Sequence, residues 1–373
     1  MKQLILSVFF LVLWIEVSYS QEHKEPSTLA IGSAAPDFRL RGVDGKFYSL
    51  KDFSKAEVLV IIFSCNHCPT AQAYEQRIID LDRDYKSKNV KVVMISPNSP
   101  KAVSLSELGY TDLGDTYEEM KIRAGERGFS FPYLYDGDEQ KTALTYGPVA
   151  TPHCFVFDKN RLLRYAGRVD SSEKPGTGKG EDIRTAIDAV LSGNAVNPST
   201  TKVFGCSIKW SWKDESVQRI YKQWSELPVA IDEIDVAGIK DLVKNSSTKL
   251  RLINFWATWC GPCITEFPDL VVIDRMYRGR PFEFITVSAD NPENKADVLG
   301  FLKEQQASNK NFIFKNSNVY EMIEAVDPDW QGGLPYTMII EPGGKIIYKG
   351  QNTIDPQQIK KLIVENKFIG RYY

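Results

Sequence analysis

Neither sign of charge is in excess in this chain of 373 residues: 46 lysines and arginines face 48 aspartates and glutamates. That balance excludes the basic field by which a protein holds nucleic acid or an anionic membrane surface. Long apolar runs are lacking too. The one sustained run, residues 4–15, is too short for a comfortable transmembrane helix. It follows Met1-Lys2 and leads to Ser18-Tyr19-Ser20, small residues at the two positions an export peptidase reads. Residues 1–20 are therefore expected to be a secretory signal, with Gln21 the first mature residue; the rival expectation is an uncleaved signal that anchors the chain. Export to the periplasm changes how the six cysteines are read, because disulfides persist outside the cytosol. Histidine is sparse, three in all, and His67 and His153 each precede a cysteine.

Four cysteines form two Cys-x-x-Cys pairs, Cys65/Cys68 and Cys260/Cys263. The later pair lies in residues 255–268, Phe-Trp-Ala-Thr-Trp-Cys-Gly-Pro-Cys-Ile-Thr-Glu-Phe-Pro. Strand formers over 250–256 deliver the chain to Cys260. Pro262 then marks the first turn of a helix, where a missing N–H costs nothing. A sulfur at a helix N-terminus is held as thiolate by unpaired backbone N–H groups and the helix dipole. Cys263, three residues on, is near enough to bridge to it. Glu266 shares the face of Cys263 and can take or give a proton at that sulfur. Pro268, mid-helix, predicts a kink.

Trp259, Cys260, Pro262, Cys263, Glu266 and Pro268 all fall in the pattern W-C-x-P-C-x-x-E-x-P. The stretch resembles the exported TlpA/ResA-like reductases of the thioredoxin superfamily. The bland alternative, half of a structural zinc site, is weakened because the other pair stands far away in its own strand–helix context.

That first pair has its own frame. The Asp44-Gly45 pair between short alternating runs predicts a hairpin. Residues 58–63 are a continuous apolar run suited to a central parallel strand. They lead to Ser64-Cys65-Asn66-His67-Cys68-Pro69 and a helix with Tyr74, Ile78, Leu81 and Tyr85 on one stripe. A Ser/Pro/Asn-rich excursion ending near Thr116 predicts an insertion. With Phe204-Gly205-Cys206-Ser207-Ile208-Lys209-Trp210, residues 29–212 look like the peroxiredoxin-like redoxins, the branch of alkyl hydroperoxide reductase and thiol-specific antioxidant proteins. The order strand, cysteine helix, strand, helix, X-Pro, strand, strand, helix then repeats. The expectation is an α/β chain of two tandem thioredoxin-like domains, each a central mixed sheet flanked by helices. The domains are placed at 29–193 and 229–373, joined by a linker over 194–228 with a short helix near 215–224.

The resemblance implies a redox-active disulfide at each pair, Cys65–Cys68 and Cys260–Cys263, the first cysteine attacking and the second resolving. It also implies cis bonds at Pro152 and Pro335. Thr151 and Leu334 would then offer backbone groups to an extended substrate, with Trp259 beside the second site. Substrates are protein thiols and disulfides, with a partner, soluble or in the membrane, that resets the site; no cofactor and no metal is called for. A protonated His67 would favour the Cys65 thiolate and make the first disulfide the better oxidant, by a fraction of the ~150 mV that separates strongly reducing from strongly oxidising pairs. Ala71 stands where Glu266 stands in the second site, so an idle first site that only docks partners is one alternative. Thiol peroxidase is another, but the pattern P-x-x-x-T/S-x-x-C fails upstream of Cys65, where the chain reads Val60-Ile61-Ile62-Phe63-Ser64. Copper binding or delivery through Cys65, Cys68, His67 and His153 is a third, without the CxxxC spacing of the copper-delivery families. Cys154 and Cys206 remain: a bridge between them, two unrelated thiols, and Cys206 as a relay thiol are all open.

Overall fold

The computed structural model describes residues 25–372, so the signal expectation at 1–20 lies outside the described residues. Two sheets organise the chain. The first has seven strands in the order Phe47–Ser49, Arg39–Gly42, Tyr133–Tyr135, Val90–Ser96, Val58–Phe63, His153–Phe157, Leu163–Gly167. Val58–Phe63 is buried throughout, as its unbroken apolar run, mostly β-branched, predicts. It pairs in parallel with Val90–Ser96 and antiparallel with His153–Phe157. The Asp44-Gly45 hairpin forms, with Gly45 at φ +82° in the left-handed region that glycine tolerates.

The second sheet repeats the plan with six strands: Asp232–Ile234, Lys310–Phe314, Phe282–Ser288, Leu250–Trp256, Tyr336–Ile340, Ile346–Gln351. Leu250–Trp256 takes the central place, parallel to Phe282–Ser288 and antiparallel to Tyr336–Ile340. Both folds are therefore α/β with mixed sheets flanked by helices. The cysteine helices are Pro69–Tyr85 and Gly261–Tyr277, each rising from the end of its central strand. Pro268 lies inside the second.

Two segments do more than the sequence suggests. A boundary at residue 193 cuts through structure: the stretch after it returns to the first sheet, with Thr200 bridging Ala166, Cys206–Ser207 pairing Ala150–Thr151, and Ile208 and Trp210 buried in the first core. The helix of the linker runs Asp214–Ser225. The Ser/Pro/Asn-rich excursion is an inter-domain strut. Val103 and Leu108 join Leu270, Met276 and Tyr277 of the second domain in one apolar cluster. The Tyr277 hydroxyl donates to the Thr111 carbonyl at 2.7 Å, and Arg280 donates to the Gly109 carbonyl at 2.7 Å. Arg371 pairs with the fully buried Asp112 at 2.6 Å. An excess of polar turn residues marks a segment without regular structure; nothing local says that it is covered from the far side.

Removing one partner of a buried ion pair leaves a desolvated charge and typically costs about 3–5 kcal/mol. Arg371→Ala is expected to lower stability by that order in urea unfolding, with Arg371→Lys recovering part of it. A loss below ~1 kcal/mol would mean that Asp112 does not depend on Arg371.

Candidate active sites

In the second domain the helix starts at Gly261 with Cys260 as its N-cap, and the Cys263 N–H donates to the Cys260 sulfur at 3.3 Å. The two cysteines are joined as a disulfide, Cα to Cα 5.3 Å. Cys263 is buried and Cys260 nearly so, whereas the neighbouring Trp259 is 68% exposed. Glu266 lies buried below, its carboxylate accepting from Asn254 Nδ2 at 2.9 Å and from the Ile354 N–H at 2.8 Å. Burial raises its pKa against those two hydrogen bonds, which pull the other way. A carboxyl held above its usual range is suited to pass protons near neutral pH. Leu334–Pro335 is cis, and residues 331–334 join no strand among the described residues, so the edge beside the disulfide is open.

The first site differs at its root. Its helix starts at Pro69, and Cys68, not Cys65, is the N-cap. Counted from the helix start, Cys68 matches Cys260 and Ala71 takes the place of Cys263. Cys65 stands outside the helix, its sulfur 3.1 Å from the Thr151 hydroxyl. Cys65 and Cys68 are both thiols here, so the expected Cys65–Cys68 disulfide is not formed. The Cys68 sulfur instead meets the Thr151 carbonyl and the Cys206 N–H, each at 3.3 Å.

The charges follow the helix. Burial opposes ionisation of Cys68, but hydrogen bonds from the Cys206 and Cys65 thiols, the His67 charge and the Ala71 amide outweigh it and hold its pKa well below the usual thiol value. Burial, the hydrogen bond to Cys68 and the Asp115 charge push Cys65 well above it. The expectation of a Cys65 thiolate is corrected: the helix and the imidazolium both favour Cys68. Measured from Cys68, the peroxidase spacing falls on Ile61 and Cys65, so that pattern is missing there as well.

His67 is fully buried, with Nδ1 2.6 Å from the Asp115 carboxylate. Burial alone would lower its pKa; the Asp115 charge and hydrogen bond reverse this and raise it. Asp115 also accepts from the Asn66 N–H at 2.9 Å and from Asn98 Nδ2 at 2.7 Å. Sequence reading missed Asp115 and Asn98. The only trace was an unexplained Gly-Asp at the end of the excursion.

Thr151–Pro152 is cis, and Thr151 lies beside both sulfurs. His153 does not belong to the site: its Nδ1 accepts from the Val149 N–H, its ring lies 4.5 Å from that of Phe155, and burial pushes its pKa down to about 3. Cys154 is buried in the core on the central sheet, apart from Cys206, so the bridge between them is not formed. Cys65, His67 and Asp115 do bring three potential metal donors within 4.8 Å of one another. Both Asp115 oxygens, however, are already taken by the hydrogen bonds above, and the set differs from the Cys65, Cys68, His67 and His153 expected for copper.

Residues 31–166 match the AhpC/TSA family and residues 227–363 match the Redoxin family. The chain is a tandem of an AhpC/TSA-family domain and a Redoxin-family domain. Among curated proteins it is similar to the thiol-disulfide oxidoreductase ResA of Oceanobacillus iheyensis, 32% identical over 126 residues, which are 33% of this chain and 60% of that one. ResA of Bacillus subtilis is 30% identical over 113 residues, 30% of this chain and 59% of that one. The chain thus spans about three-fifths of the length of these relatives. Among solved structures it is similar to a hypothetical protein from Sinorhizobium meliloti, 32% identical, covering 50% of this chain and 98% of that one, TM-score 0.44. An uncharacterized conserved protein from Geobacillus kaustophilus is 36% identical, covering 50% and 96%, TM-score 0.44.

The His67–Asp115 pair fixes a sign. A histidine whose folded pKa is raised contributes stability that is full below its unfolded value, ~6.5, and is lost as pH rises through the folded value. In Asp115→Asn only the Cys68 charge is left to oppose burial, and the His67 pKa should fall. Imidazole NMR titration reads this directly; an unchanged midpoint would remove Asp115 as the cause.

Proposed function

We propose that this protein is an exported thiol–disulfide oxidoreductase that acts on protein disulfides, with its second site as the reductant. The carrying observation is Cys260 at the helix start, bonded to Cys263, beside exposed Trp259 and an open edge before cis Pro335. Reduced, Cys260 attacks a substrate disulfide. One substrate sulfur leaves as a thiolate and is protonated, and a mixed disulfide remains. Cys263 passes its proton toward Glu266 and attacks Cys260, releasing the second substrate thiol and restoring the Cys260–Cys263 bond. A partner, soluble or membrane-bound, then returns two electrons. The names of the ResA relatives support this chemistry. Among the described residues no helix is long and apolar enough to cross a membrane. Export rests on the apolar run and small residues of positions 1–20.

The first site is read as the more oxidising of the two. The imidazolium of His67 beside Cys68 stabilises the thiolate, hence the reduced form, and raises the potential. The sign is the one expected from the sequence, but it acts through the other cysteine.

Cys263→Ala should trap substrates covalently on Cys260, recovered as mixed disulfides that dithiothreitol releases. Glu266→Gln should leave capture intact and slow resolution by roughly 10²-fold, the lower end for a positioned general acid–base. Failure of Cys263→Ala to capture any disulfide-bearing protein, or equal resolution rates in Glu266→Gln, would count against these roles.

A further inference from the structure

The edge that stands open in the second domain is closed in the first by the chain itself. Cys206–Ser207 pairs antiparallel with Ala150–Thr151, and Cys206 lies directly opposite Thr151, the residue before cis Pro152. An incoming polypeptide strand would place its own cysteine there. Cys65, Cys68, Ala71 and Cys206 form one small apolar cluster, and the Cys206 N–H donates to the Cys68 sulfur at 3.3 Å. The fit is close. A Cβ on Gly205 would lie 2.0 Å from the Thr151 carbonyl oxygen, and Gly205 has φ +138°, so no other residue suits the position. Lys209 holds the segment from the other side: its N–H donates to Asn98 Oδ1 at 2.9 Å and its carbonyl accepts from the Ser99 N–H at 2.9 Å.

Access differs among the three sulfurs. Cys65 and Cys68 are buried, whereas Cys206 is only half-buried. We propose that Cys206 is the port of a three-thiol relay, taking up an external disulfide at the surface and passing the oxidation through a Cys68–Cys206 bond to Cys65. Because the strand-docking edge is already paired, the oxidant is a disulfide small enough to reach Cys206 from outside, of the glutathione disulfide kind. The inference rests on reading the protein as a disulfide exchanger but concerns only the first site.

Each step balances. The Cys206 thiol gives up its proton and attacks one sulfur of R–S–S–R, forming Cys206–S–S–R and releasing RS⁻, which takes that proton up. The Cys68 thiolate then attacks the Cys206 sulfur; the second RS⁻ leaves, and Cys68–Cys206 forms. Last, Cys65 gives up its proton and attacks Cys68, forming Cys65–Cys68 and returning Cys206 to the thiol. In sum, one external disulfide is reduced to two thiols, and two thiols of the first site become one disulfide. Of the two protons taken up, Cys65 supplies one and water the one Cys68 had already lost.

The test uses the reduced full-length protein, glutathione disulfide in excess over both dithiol sites, acid quenching at timed intervals, alkylation, and peptide mapping under non-reducing conditions. Three results are expected. Cys68→Ser accumulates glutathione on Cys206. Cys65→Ser accumulates Cys68–Cys206. Cys206→Ser slows formation of Cys65–Cys68 by at least tenfold. Glutathione found first on Cys65 or Cys68, or an undiminished rate in Cys206→Ser, overturns the relay. Should Cys206→Ser fold poorly, the first two variants keep Cys206 in place and decide alone. The second site is read in the same digests as Cys260–Cys263, and reduction of insulin by the unaltered chain reports the general exchange activity. Loss of the relay and loss of the exchange reading are thus separately visible.

Discussion

Everything at both sites depends on which sulfur a helix starts beneath. The first backbone N–H groups of a helix have no partner within it, and together with the aligned peptide dipoles they place partial positive charge at that end. In the second domain the helix begins one residue after Cys260; in the first it begins one residue after Cys68. The same field therefore acts on the leading cysteine of one pair and on the trailing cysteine of the other. A second sulfur three residues into the helix exists only in the second domain, because position 71 is alanine. The first site must find its sulfur partners elsewhere, and they come from before the helix, at Cys65, and from the returning segment, at Cys206.

Around that field, charge is arranged in chains that reach across the molecule. Asp115 raises the His67 pKa against burial, and the His67 charge in turn favours the Cys68 thiolate. Asn98 serves both sides, donating to Asp115 and accepting from the Lys209 N–H on the segment that bears Cys206. Asp115 closes the same excursion whose middle packs on the second domain through Thr111 and Asp112. The strut and the support of His67 are one stretch of chain.

Much of the fold was legible because its signals are local and strong. Unbroken apolar strands, a proline in the first helical turn, a Gly turn between strands and an X-Pro step each point to one geometry, and they occur twice in the same order. The second site was legible for the same reason: its six diagnostic residues lie within ten positions. The contributions of distant segments could not be read. Asn98 and Asp115 come to the first site from the two ends of the excursion and Cys206 from the returning segment, and neither Asn98 nor Asp115 carries a periodic or motif signal. The pair Cys65/Cys68 misled because spacing alone does not say which cysteine a helix follows; Pro69 did, since proline belongs in the first turn and so marks Cys68 as the cap.

The two domains, alike in plan, also differ in the backbone they leave unpaired. A strand edge next to a reactive sulfur is an invitation to any extended peptide, since its N–H and C=O groups are unsatisfied. The second domain keeps that edge free beside an exposed tryptophan, a combination that gains main-chain hydrogen bonds with little demand on sequence. The first satisfies its edge internally, with Gly205 allowing the backbone to approach and Ile208 and Lys209 anchoring the segment beyond the paired residues. An edge already paired adds nothing on meeting a polypeptide, so selectivity there shifts from strand pairing to the size of the molecule that can reach a half-buried sulfur. On the readings proposed above, the two sites of one chain are addressed to different classes of disulfide without any change of fold.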